Sequence, residues 1–410
     1  MTSSGLSIEA QFLLAAANTG GDQLLRTLAA REPDWNTVLE MSVSEGAQPT
    51  VARRLRACQG LPLPAGVPQA LDHIARITEL RMQYVRRRLY EILDDLGRAG
   101  IPVVLLKGAA LAHWAYGSFG ERYMSDLDLL VRPGDAGKAH ALLQSTGWKL
   151  RFREHYDRLY AGMHHLMPLV DARAPAMQLH AEIHTALIPV DRDPFLLNAT
   201  DIWREARNLD GLPNHVRVPS SLHALWHTCV HYAWSHMFTR GVRTFQDVAA
   251  LARSGTVDWS AFVSEAKRTR AATCCYWTLA LARSLARAPV PEEVLRELQP
   301  ATPVTLRGVV TRHLENEVIG GSAACPSLRL QRIMWSAAVR PRRSGHGANR
   351  PWSEADWNEM LADQPQAGDA FPEALQSSRR FSAWIRYLRT VLPAVGSARP
   401  ARTESLPVST

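Results

Sequence analysis

The feature that most constrains this chain is a change of hydrophobic period between residues 71 and 131. From Leu71, the stretch LDHIARITELRMQYVRRRLYEILDDLGRAG brings Ile74, Ile77, Leu80, Tyr84, Leu89, Ile92 and Leu96 back along one side, mostly at three- and four-residue steps. That spacing predicts one long amphipathic helix, ended by Gly97 and Gly100. IPVVLL (101–106) follows as a continuous apolar run, the pattern of a buried strand, and DLDLLV (126–131) alternates at period two as a second strand. Between them AALAHWAYG has helical composition up to Gly117, and SFGERYMS reads as a loop. The unit continues with a helix over DAGKAHALLQSTG and then WKLRFRE, and HHLMPLV and AMQLHAEIH flank DARAPA as an antiparallel hairpin. These signals predict an α/β (α+β) core with a small mixed sheet.

Helices flank this core. The first 66 residues carry apolar residues at helical spacing and break at LPLPAGVPQA, where three prolines and a glycine interrupt the pattern. Beyond Pro219, SLHALWHTCVHYAW, FQDVAALARSG, SAFVSEAKRTRAATCCYWTLALARSLA and PEEVLRELQ read as successive helices. The expected organisation is an N-terminal helical region (1–66), the core (67–215), a C-terminal helical domain (216–396) and a disordered tail (397–410). A Gly/Arg/Pro-rich loop occupies 340–353.

With 46% hydrophobic residues over 410 positions, the chain can bury a sizeable core. No stretch approaches the roughly 18 apolar residues of a membrane span, and the start lacks the pattern of a secretory signal, so a cytoplasmic location is expected. Five cysteines without a CxxC pair are expected to be reduced packing residues. The formal charge of +8 favours anionic partners, and phosphorylated ligands and RNA both stay open. Nucleic acid is not the favoured partner, because the excess is scattered arginine without a dense basic stripe.

The chemistry resides in the strands. In DLDLLV the period of two sets Asp126, Asp128 and Leu130 on one face. AMQLHAEIH is expected to place Met177, Leu179, Ala181 and Ile183 on an apolar face, with Gln178, His180, Glu182 and His184 opposite. If the two strands are neighbours, Glu182 joins the aspartates. Carboxylates about 5 Å apart repel by about 3 kcal/mol per pair at an effective dielectric near 20, so protonation or a cation must offset them. Hard oxygen ligands suit Mg²⁺ that takes its remaining ligands from phosphates. LLKGAAL delivers Lys107 and Gly108 to a helix start whose backbone N–H groups are free for an anion. Arg122, four residues before Asp126, is placed to reach the same anion.

At VVLLKGAAL (103–111), RYMSDLDLLV (122–131) and AEIHTAL (181–187) the sequence resembles a bacterial family of uncharacterised nucleotidyltransferases, within the superfamily that has the DNA polymerase beta-like catalytic fold. The resemblance covers roughly residues 70–255. It implies that Asp126 and Asp128 bind two Mg²⁺ (or Mn²⁺) ions, that Glu182 is the third carboxylate, and that Gly108 begins the nucleotide-binding turn, with Lys107, Arg122 and Ser125 as further phosphate contacts. The superfamily's turn is usually Gly-Ser or Gly-Gly, whereas this chain has Gly108-Ala109. Gly117-Ser118 sits at the usual distance from the aspartates but after the helix, and reads as a turn. The family also shows a helix with His-x-x-x-His followed by Arg and Asp, matched here by His227, His231, Arg243 and Asp247, which are expected to wall the site.

His223, His227 and His231 recur every four residues; a zinc site is one reading, but the helix supplies no acidic or cysteine ligand, and packing or phosphate contact is the other. His180 and His184 flank Glu182 and are expected to orient a metal-bound carboxylate or to face solvent. The function expected is transfer of a nucleoside monophosphate from an NTP, guessed to be ATP, to a small molecule, peptide or tRNA. The alternatives are transfer of a sugar phosphate onto a modified peptide and a non-catalytic nucleotide- or partner-binding module.

Overall fold

The computed structural model describes residues 6–18, 21–188, 195–319, 325, 327–339, 387, 388 and 390–392. The loop expected at 340–353 and the tail at 397–410 lie outside the described residues. Four helices open the chain: α1 (Ile8–Ala17), α2 (Asp22–Ala29), α3 (Trp35–Ser44) and α4 (Gln48–Ala57). The long helix α5 (Val67–Arg98) leads into β1 (Val103–Leu105), α6 (Lys107–Trp114), β2 (Asp126–Leu130), α7 (Pro133–Ser145) and β3 (Trp148–Leu150). Then come β4 (Leu169–Asp171), β5 (His180–His184), α8 (Ala199–Glu205) and β6 (Val216–Arg217). The remaining described elements are helices: α9 (Ser221–Val230), α10 (Val242–Arg253), α11 (Trp259–Arg268), α12 (Ala272–Ala286), α13 (Glu292–Leu298), α14 (Val304–Glu317) and α15 (Leu328–Val339).

The six strands form one mixed sheet in the order β3-β4-β5-β2-β1-β6. β2 lies at its centre, antiparallel to β1 and parallel to β5, and the expected hairpin is the antiparallel β4–β5 pair. One face of β2 packs Leu127 and Leu129 with Val85, Leu89 and Ile92 of α5 and with Ala181 and Ile183 of β5. A second core joins Phe12, Leu13 and Val38 of the first helices to Trp226 of α9, Phe245 of α10 and Trp277 of α12, and it also takes in Val104 and Leu130 from the sheet. The helices from both ends of the chain therefore share one apolar interior that rests on the sheet.

Several boundaries differ from the sequence expectation for identifiable reasons. α5 begins at Val67 because Pro68 stands in its first turn, where a missing N–H costs nothing. It also runs through Gly97, which is a glycine because His215 packs on it: an added Cβ would stand 2.5 Å from His215 Cε1. Ile77 and Leu80, counted on the apolar face, are exposed, and Met82 and Val85 are buried instead. β5 is shorter than AMQLHAEIH, since Pro175–Met177 forms a 3₁₀ turn and Gln178 takes φ 44°, so Met177 and Gln178 are not in the strand. The expected helix from 260 to 286 is two, α11 and α12, broken where Arg270 adopts φ 63°.

An ion pair fixes α5 to the sheet. Arg88 Nε donates to Asp171 Oδ2 at 2.8 Å with both side chains buried, Tyr84 adds a hydrogen bond to the same oxygen, and the Arg88 guanidinium lies 4.9 Å from the Trp148 ring centre. Removing one member of such a pair strands the other charge in the interior, at a cost of about 3–5 kcal/mol. Arg88→Met is accordingly expected to lower unfolding free energy by about 3 kcal/mol in a urea titration; a change within about 0.5 kcal/mol would show that the pair does not lock the helix.

Candidate active site

The register of β2 against β5 builds the site. Asp126 stands opposite His180, Asp128 opposite Glu182 and Leu130 opposite His184, all on one face of the sheet. Parallel neighbours about 4.8 Å apart thus hold the Asp128 and Glu182 carboxylates side by side. Asp128 is only 2% exposed. Lys107 Nζ donates to Asp128 Oδ1 at 2.7 Å, and His184 Nε2 lies 2.9 Å from the same oxygen and 3.4 Å from Glu182 Oε2. His165 Nε2 is 3.9 Å from Glu182 Oε2.

Burial works against ionisation of Asp128, yet the Lys107 ammonium and the His184 hydrogen bond hold its carboxyl well below the ordinary range. Glu182 is also lowered: His184 and His165 outweigh burial and the repulsion from Asp128. Burial likewise opposes charge on Lys107 and His184, but the carboxylates raise both pKa values. Asp128 and Glu182, two of the three acids expected on this face, are therefore held ionised beside a lysine and an imidazole.

Lys107 reaches Asp128 through a sharp strand-to-helix turn. It is the first residue of α6 and takes φ 45°, a left-handed conformation that costs a side-chain-bearing residue about 1–3 kcal/mol and is sustained by surrounding contacts. Leu106 N–H donates to Asp128 O, which pins the turn to β2. α6 has no side-chain cap, and its first amides, at Lys107, Gly108 and Ala109, have no acceptor within the helix. Gly108 follows from packing: a Cβ there would stand 2.9 Å from Met124 Cγ and 3.3 Å from Arg122 Cζ.

Arg122 lies beneath this turn with its guanidinium fully engaged. Nε and one terminal nitrogen donate to the two oxygens of Asp247 at 2.7 Å each, and the other donates to Tyr123 O. Tyr116 Oη also donates to Asp247. Arg122 and Asp247 are buried, so the expected phosphate contact at Arg122 is instead a bidentate clamp between the turn and α10. Ser125 is half-buried, with its carbonyl accepting from His180 N–H, and its Oγ lies 3.5 Å from Asp126 Oδ1. His180 shares the face of Asp126 and Glu182.

The histidines of α9 divide. His223 turns towards Glu205 and Glu265, at 3.6 and 3.9 Å. His227 and His231 instead lie within the field of Lys107; burial, then Lys107 and His184, push His227 down to about 3, which leaves it neutral. Among the described residues the histidine, cysteine and acidic side chains placed closely enough to share a metal ion are Asp128, Glu182 and His184, so the α9 histidines form no zinc site there. Two oxygens and one imidazole nitrogen, their ligand atoms within 4.8 Å of one another, fit a divalent cation. Asp126 lies outside that group although it shares the face.

His164 and His165 carried no expected role. Their rings lie 5.2 Å from that of His184, and His164 is buried with Nδ1 unpartnered. The only sequence signal was an adjacent histidine pair entering an apolar segment. A cleft of about 650 Å³ between α4, α5 and residues 118–121 contains none of these groups; Arg53, Arg56 and Arg86 line it, and Gly117-Ser118 leads into it.

Fold and site define a mixed α/β protein whose central strands hold a buried carboxylate–imidazole group able to bind a cation. Residues 31–287, more than half of the chain, match the family model described as uncharacterised nucleotidyltransferase, and the chain belongs to that family. Comparison with curated proteins and with solved structures finds no match. No helix among the described residues is long and apolar enough to cross a membrane.

A carboxyl whose pKa is depressed on folding stabilises the fold above its unfolded value, about 3.9, and that contribution disappears as pH falls through the folded value. The urea midpoint of the wild type is therefore expected to exceed that of Asp128→Asn above about pH 5, with the gap shrinking steadily as pH falls below about 4. A gap independent of pH would mean that Asp128 is not the ionised partner of Lys107.

Proposed function

We propose that this protein transfers a nucleoside monophosphate from an NTP, with ATP the first donor to test, to a hydroxyl or phosphate oxygen of a small molecule, a peptide or tRNA. The acceptor oxygen bonds to the α-phosphorus, the bond from that phosphorus to the bridging oxygen breaks, and pyrophosphate leaves. One observation carries this reading: Asp128 and Glu182 are held side by side, with His184, at the mouth of the Lys107–Gly108 turn.

A divalent cation, Mg²⁺ or Mn²⁺, bound there would polarise the reacting phosphate and lower the pKa of the acceptor hydroxyl. Asp128, Glu182 and His184 would hold it, and Asp126, two residues earlier on the same face, would serve a second ion. Lys107 and the first amides of α6 would meet an anionic phosphate, with Ser125 at the rim. Glu182, where it does not bind the cation, would accept the acceptor's proton. Arg122 acts through Gly108, as a positioning residue. Five buried thiols fit a reducing cytoplasmic setting.

Ala109 favours a second reading, since it lacks the hydroxyl usual at this turn. A module that only binds nucleotide would give metal-dependent thermal stabilisation by NTP without product. To decide, cell extract is incubated with the protein, Mg²⁺ and labelled ATP and examined by mass spectrometry for a nucleotidyl mass increment. Asp126→Ala and Glu182→Gln are expected to lower product formation at least about a hundredfold with unchanged circular dichroism, in line with losses on removing groups that stabilise the transition state. Full activity in both would contradict the assignment.

A further inference from the structure

Two guanidinium groups beside the site, those of Arg240 and Arg243, lack a hydrogen-bonded partner among the described residues. Arg240 is exposed and Arg243 half-buried against Gly46 and Tyr123, and neither forms an ion pair or a side-chain hydrogen bond among the described residues. The acid facing them is Glu45, which accepts from Val242 N–H at 3.3 Å and which burial, against that bond and the pull of both arginines, pushes up to about 7. Two arginines beside the site, without a hydrogen-bonded partner among the described residues, are free to take an external anion.

The chain between α9 and α10 is shaped to present them. After α9 the backbone makes a single π-helical turn, His231–Ser235, and then Met237, Phe238 and Arg240 all take left-handed φ values of 48°, 63° and 54°. Such turns and strained residues concentrate at functional sites. The result brings the His231 and His236 rings to 4.7 Å and the His227 and His231 rings to 5.8 Å. Arg240 and His236 are exposed, His231 and Arg243 half-buried, and His227 buried with Nε2 unpartnered. His236 lies in the field of Lys107, Arg243 and Arg240 together. Donor groups thus descend from the surface to Lys107, which is already matched by Asp128. The guanidinium directly under the turn, Arg122, is saturated by Asp247 and cannot contribute.

We infer that the α9–α10 connection is the polyphosphate wall of the site, with Arg240 and Arg243 binding the β- and γ-phosphates of the donor nucleotide and His231 and His236 donating hydrogen bonds between them and Lys107. A multiply charged chain of phosphates needs several donors spread along its length, whereas a single carboxylate or phosphate would need only one of them. The inference rests on the nucleotidyl-transfer reading, to which it adds where the leaving group lies.

The test is calorimetric titration of the full chain with inorganic tripolyphosphate, divalent metal chelated. Wild type is expected to bind, Arg240→Gln and Arg243→Met each to weaken binding about tenfold, as for loss of one charge-assisted contact, and AMP affinity to stay unchanged. Arg53→Gln, in the separate basic cleft, is expected to leave tripolyphosphate affinity unaltered. If Arg243→Met lowers the melting temperature, the exposed Arg240 decides alone. The inference is overturned if the wild type does not bind tripolyphosphate, if both arginine variants bind it as tightly as wild type, or if affinity follows Arg53. Arginine-dependent tripolyphosphate binding without any nucleotide transfer would sink the transfer reading and leave the wall standing, whereas transfer with arginine-independent binding would sink only the wall.

Discussion

Two ionised carboxylates held side by side inside a protein are the constraint on which this structure depends. At about 5 Å and an effective dielectric near 20 they repel by about 3 kcal/mol, before the cost of removing each from water. The parallel pairing of β2 and β5 forces Asp128 and Glu182 into that position, because the same register that aligns Leu127 with Ala181 and Leu129 with Ile183 in the core aligns the acids on the other face. Slipping β2 by one residue would relieve the repulsion but turn Leu127 and Leu129 away from that core. Compensation must come from the neighbours, and Lys107 and His184 provide it. A strained lysine and a buried imidazole thus keep two acids charged inside the sheet.

The surrounding architecture serves the same point. β1 and the turn into α6 bring Lys107 to Asp128, and the Arg122–Asp247 clamp, reinforced by Tyr116, ties that turn to α10. α10 belongs to the core that gathers helices from both ends of the chain, so the helical regions brace the acidic group and wall it as well as flanking the sheet. The span matched by the family, 31–287, runs from α3 into the C-terminal helices and takes in every residue of this arrangement.

Much of this was legible in the residues. Period-two alternation in DLDLLV placed Asp126 and Asp128 on one face, and the apolar–acidic alternation of LHAEIH placed Glu182 and His184 together, because strand geometry leaves a side chain only two directions. The lysine-glycine turn was legible because a buried strand running into a helix has few exits. What the sequence could not carry was pairing at a distance. Nothing near Arg122 signals that Asp247, 125 positions on, will occupy its fork, and nothing in HHLMPLV signals that two histidines will pack on His184. Backbone decisions were equally hidden: Gln178 and Arg270 turn left-handed without being glycine, shortening β5 and splitting a helix. Gly97 read as a helix stop because its contact, His215, arrives from a loop far along the chain.

The central claim is that Asp128, Glu182 and His184 form one cation site inside the sheet. Its most direct test is a titration with Mn²⁺ followed by electron paramagnetic resonance, comparing wild type with Glu182→Gln and His184→Gln at matched fold. Saturable loss of the free Mn²⁺ signal is expected in the wild type, with affinity weakened about tenfold or more in each variant, as for loss of one ligand or its support. Mn²⁺ binding of equal strength in all three proteins, or none in the wild type, would contradict it.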